Sequence, residues 1–153
     1  METNTHLRCT LNHLIQTCKD GQEGYLTAAE NVSDAEAKKF FNECSLQRSK
    51  FAGELQALAH ELGESNPEYA SSVSGTLHRG WINLKSAILS GDARAILQEC
   101  ERGESSAVSE FQKALELALP ANIREIVSRQ SVAITAAHHR VRAMADAGAA
   151  HWV

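Results

Sequence analysis

The stretch ILQECERGESSAVSEF, residues 96–111, decides how the rest of the chain is read. Leu97, Cys100, Ala107 and Phe111, continued by Ala114 and Ala118, recur at the three-four spacing of a helix that packs one face into a bundle. Glu104 stands on that face, where an apolar residue is expected. A carboxylate there is costly unless a cation, a hydrogen-bond donor or a metal answers it. What the other helices bring to the level of Glu104 therefore decides the chemistry.

Upstream, a first helix is expected over about residues 5–31, with Leu11, Ile15, Cys18, Gln22, Tyr25, Ala29 and Val32 on one stripe. Gly21 and Gly24 interrupt it at about 1 kcal/mol each in helix propensity, which implies close approach of another backbone. Ser33-Asp34-Ala35-Glu36 has the form of a capping box with Ser33 as the cap, opening a second helix over about 34–62 that Gly63 ends. Its stripe of Ala37, Phe41, Cys44, Phe51, Leu55 and Leu58 is broken by Arg48.

The segment ESNPEYASSVSG reads as a loop, followed by a short helix over about 76–89. Asp92 can cap a helix over about 92–119, which Pro120 stops. A last helix over about 121–146 carries Ile123, Val127, Gln130, Ile134, Ala137, Val141 and Met144 on its stripe.

Tight first and last turns make two antiparallel hairpins. The long middle connection is able to run back along the bundle, making the second and fourth segments parallel. The expected fold is all-α, a four-helix bundle with a long crossover that contains a short extra helix. A plain up-and-down bundle with a decorated loop is the alternative.

At 153 residues and 43% apolar content the chain suits one domain with one core. A net charge of −4 with interspersed acids and bases favours neither nucleic acid nor an anionic membrane as partner. No run reaches the roughly 18 apolar residues of a membrane span, and the start METNTHLRCT lacks a signal peptide's apolar stretch, so the cytoplasm is the expected compartment. Cys9, Cys18, Cys44 and Cys100 form no CxxC; three lie on helix stripes and read as buried free thiols, with redox sensing the rival.

Counting from the turns, good to about one helical turn, brings Arg48, Glu104 and His138 to one level, with Glu101 and Gln22 or Glu23 beside it. One reading is a buried polar layer of Arg48, Glu101, Glu104, His138 and Gln22, in which arginine answers the acids and no cofactor is needed. The other is an iron or manganese centre from Glu23, Glu30, Glu101, Glu104 and His138. A dimetal bundle site of the usual kind takes Glu-x-x-His from two helices, and this chain contains none; Glu101 and Glu104 make one Glu-x-x-Glu. His78-Arg79-Gly80-Trp81 offers packing for Trp81 or, if His78, Arg79 and Trp81 are exposed, a docking point for a protein partner. There is no Ser-His-Asp order, phosphate loop or nucleophile elbow, so a non-enzymatic role is expected.

These residues together resemble a bacterial family of ferritin-like four-helix-bundle proteins of unknown function. The resemblance is carried by Asp20-Gly21-Gln22-Glu23-Gly24 with Ala28-Ala29-Glu30, and by Gln47-Arg48 with Phe51 and Glu54-Leu55. It continues through His78-Arg79-Gly80-Trp81, Glu101-Arg102-Gly103-Glu104, and Gln130 with His138. It implies a ferritin-like bundle, expected to self-associate, and carries no activity with it.

Overall fold

Five α-helices occupy the residues that the computed structural model describes, 2–63 and 81–148: α1 Glu2–Glu30, α2 Ala35–Glu61, α3 Leu84–Leu89, α4 Ala93–Leu115 and α5 Ala121–Ala147. No strand occurs among them. Their ends follow from local chemistry. Asp34 rather than Ser33 caps α2, its Oδ2 accepting from the Ala37 amide at 2.9 Å, so the cap lies one residue later than the expected box. Gly63, just past the Leu62 cap, takes φ 94°, a left-handed value that a side chain would resist.

Asp92 caps α4 as expected, accepting from the Arg94 amide at 3.0 Å. The helix ends at Leu115, short of the expected 119. Residues preceding Pro120 are biased away from helical geometry, and Arg124 of α5 reaches back to the freed carbonyls of Leu115 and Leu117 at 3.1 and 2.5 Å. The short connecting helix is also smaller than expected: a tight turn at residues 81–83 leads into Leu84–Leu89, and the remainder of 76–89 lies outside the described residues.

The helix directions can be read from which residues meet. Asn4 donates to Leu62, and Lys38 to Ala29, so α1 and α2 are antiparallel. His138 meets Glu101 while Arg124 meets Leu115, so α4 and α5 are antiparallel. Arg129 meets Glu54 and Arg140 lies over Phe40, so α5 is also antiparallel to α2, leaving α2 and α4 parallel. The core divides into two apolar halves along this arrangement. One is built around Tyr25, Phe41, Trp81, Leu84 and Leu97; the other around Leu11, Leu14, Phe51, Phe111 and Val127. The polar residues of interest lie between them.

Candidate functional site

Arg48 of α2 and Glu104 of α4 are 1% and 0% exposed, the two residues that broke their apolar stripes. The guanidinium grips the carboxylate with both terminal nitrogens: Nη1 donates to Oε2 at 2.8 Å and Nη2 donates to Oε1. Tyr25 of α1, also buried, donates its hydroxyl to the same Oε2 at 2.7 Å. Glu104 thus has three charge-assisted hydrogen bonds from two helices, and Arg48 spends its Nε on Gln47 Oε1 at 3.2 Å. The guanidinium also lies 5.4 Å from the centre of the Tyr25 ring.

The surroundings explain why such a layer survives burial. Desolvation would lower the Arg48 pKa, but the charge and hydrogen bonds of Glu104 outweigh it and hold it above its ordinary value. Burial raises the Cys18 and Cys44 thiols to about 12, the Arg48 charge offsetting part of the rise, and pushes Cys100 and the Tyr25 phenol well up. The ion pair therefore sits among three thiols and a phenol that burial keeps protonated. Cys18, Cys44 and Cys100 are buried free thiols, as read from their stripes, and Cys9 is exposed.

Two glycines expected to meet a backbone meet side chains instead. Gly21 faces Arg48, whose Nη1 would lie 3.3 Å from an added Cβ. Gly24 and, on α4, Gly103 both lie against the Trp81 indole, where a Cβ on either would come closer than 3.0 Å to ring atoms. The indole fills the gap between α1 and α4, edge-on to Tyr25 with centroids 5.1 Å apart. Trp81 is 2% exposed and packed in the core, not on the surface as the docking reading required; His78 and Arg79 lie outside the described residues.

Of the other expected members, Glu101 and His138 meet each other rather than Glu104, at 3.0 Å on the half-buried rim between α4 and α5. Counting to one turn could not separate that rim from the core. Gln22 is half-buried and contributes its main-chain carbonyl, which accepts from Ser45 at 2.8 Å. Glu23 and Glu30 are exposed on α1. The five residues of the metal reading are therefore not gathered at one point, and no cluster of three His, Cys, Asp or Glu able to hold a metal occurs among the described residues.

Several buried polar groups are not legible in the sequence, among them Thr17, Asp20, Ser45 and Ser131, and two of them bear on this region. Tyr25 fits its apolar stripe, since only tertiary contact reveals where a phenol's hydroxyl goes. Glu99, 2% exposed, accepts from the Asn83 amide at 2.7 Å and pairs with Arg102 at 3.1 Å, fastening the turn after Trp81 to α4. Gln130 sits apart, as its spacing indicated, donating to the Phe51 carbonyl and to Glu54.

No curated protein is matched by the chain. A family model described as a domain of unknown function, DUF2383, matches residues 8–117, from within α1 to just past the end of α4, and takes in Tyr25, Arg48, Trp81 and Glu104. With more than half of its length so matched, the chain belongs to the DUF2383 family.

Proposed function

We propose that this chain is a cytoplasmic, non-enzymatic, ferritin-like four-helix-bundle protein of bacterial type that self-associates. In it the Arg48–Glu104–Tyr25 layer occupies the level at which a ferritin-type metal centre would be built. The carrying observation is the two-pronged Arg48–Glu104 contact, sealed from solvent. A permanent guanidinium charge bound to the acid repels a dication from it, and Glu23 and Glu30 point to solvent, so the residues present do not fit an iron or manganese centre. The same closure supports a non-enzymatic role, since a substrate has no path to groups 0% and 1% exposed. A buried ion pair of this kind contributes little net stability and instead selects one helix register over others.

Leu46, Ile82, Leu89 and Val132 are each more than two-thirds exposed, and burial between copies of the chain is the role we propose for them. Two experiments test the proposal. Untagged protein, soaked anaerobically in ferrous iron or manganese and desalted, is expected to retain less than about a tenth of an equivalent; about two equivalents would overturn it. Sedimentation equilibrium is expected to give a mass above the 16.7 kDa of one chain, and a monomer at all concentrations would remove the self-association.

A further inference from the structure

The seam between α4 and α5 opens to solvent in a groove of about 330 Å³, lined by charged side chains of both helices. Arg94, Gln98, Glu101 and Arg102 stand at i, i+4, i+7 and i+8 on α4, one face of that helix, and Arg142 and Asp146 stand one turn apart on α5. Each wall therefore carries guanidinium groups. Two of the charged side chains are already engaged within the protein: Glu101 meets His138 at 3.0 Å, and Arg102 meets Glu99 at 3.1 Å. Arg94, Arg142 and Asp146 line the same groove and make no ion pair with any described residue. The groove is left with two unanswered guanidinium charges, one from each helix, and one unanswered carboxylate.

We infer that this groove binds a small amino acid with two carboxylates, L-glutamate being the simplest probe. Arg94 and Arg142 each take one carboxylate, Asp146 takes the ammonium, and Gln98, one turn along from Arg94, adds an amide donor. A guanidinium is always charged and presents a planar fork that matches a carboxylate, so one on each wall suits a ligand with an acid at either end. Two negative charges and one positive on such a ligand mirror the unanswered charges of the lining. A simple oxyanion such as phosphate is a poorer match, because Glu101 and Asp146 line the groove as well and repel it. A dicarboxylate without an ammonium leaves Asp146 unanswered. The groove's size lies within the roughly 300–1,000 Å³ of small-molecule sites. It shares no residue with the Arg48–Glu104–Tyr25 layer and stands apart from the role proposed for that layer.

The test is amide NMR of the nitrogen-labelled full chain, titrated with sodium L-glutamate in low-salt buffer against sodium chloride of equal ionic strength. The expected result is one equivalent bound with a dissociation constant below about 1 mM, the shifts gathering around Arg94 to Arg102 and Arg142 to Asp146. Arg94→Ala and Arg142→Ala are each expected to weaken binding about tenfold, and Lys39→Ala on α2 to leave it unchanged. Glutarate, with both carboxylates and no ammonium, should bind about threefold more weakly than L-glutamate, and Asp146→Asn should remove that difference. Because Arg94, Arg142 and Asp146 are exposed, these variants keep the fold, which circular dichroism checks. No saturable shift up to about 10 mM L-glutamate would overturn the proposal. So would undiminished binding by Arg94→Ala or Arg142→Ala, glutarate binding as tightly as L-glutamate, or inorganic phosphate binding more tightly than either.

Discussion

Tyr25 and Arg48 share one oxygen of Glu104, and their shares differ in kind. The guanidinium neutralises the carboxylate, whereas the phenol supplies a neutral donor from a third helix. Tyr25→Phe keeps the ring against Trp81 and removes only that donor, so it should cost about 1.5–3 kcal/mol, the range for a bond to a charged group, in urea unfolding. The two stripe-breaking residues were legible because charge at an apolar position is visible in a sequence. Tyr25 was hidden because a phenol fits an apolar stripe, and His138 was drawn into the core because its level was known only to one turn.

The buried thiols add a pH dependence whose sign follows from their shifts. Folding raises Cys18 and Cys44 from 9.0 to about 12, so between those values the unfolded chain releases protons that the folded chain keeps. Their stabilising contribution is full below about pH 9 and is lost as pH rises through the folded values. Stability measured by urea unfolding should be level near neutrality and fall above pH 9 by about 1 kcal/mol per unit for each thiol involved. Cys44→Ala should shallow the fall, and an unchanged slope would argue against a buried Cys44 thiol.

At the scale of the helix, glycine has opposite meanings at different positions. Gly24 and Gly103 make room for the Trp81 indole between α1 and α4, and Gly53 on α2 has nothing within 4 Å of an added Cβ. Gly24→Ala or Gly103→Ala should therefore destabilise by about 1–3 kcal/mol through overpacking. Gly53→Ala should stabilise by about 0.5–1 kcal/mol through helix propensity alone. Thermal unfolding of the three variants would separate packing from propensity, and destabilisation by all three would contradict the assignment. Helix existence was legible from periodicity, as were the Asp92 cap and the Gly63 stop. The early end of α4 was not, because it depends on Arg124, a residue of the next helix, reaching back to the carbonyls of Leu115 and Leu117.

Across the whole molecule, the parallel course of α2 and α4 is what lets Arg48 and Glu104 face each other so far apart in sequence. Two short turns and one long connection pointed to that course before any contact was known. Where the exposed apolar residues lead could not be read from periodicity, because a stripe shows which face is buried within a helix and not what meets a face left over. In the role proposed for them, Arg48 and Glu104 are mutually required, and the pair selects one helix register rather than adding net stability.

A double-mutant cycle of Arg48→Met and Glu104→Gln, read by urea unfolding, tests this most directly. Each single change strands a buried polar or charged partner and should cost about 3–5 kcal/mol, whereas the double variant should return to within about 1–2 kcal/mol of the parent. Additive losses in the double variant, or a harmless Arg48→Met alone, would contradict the account.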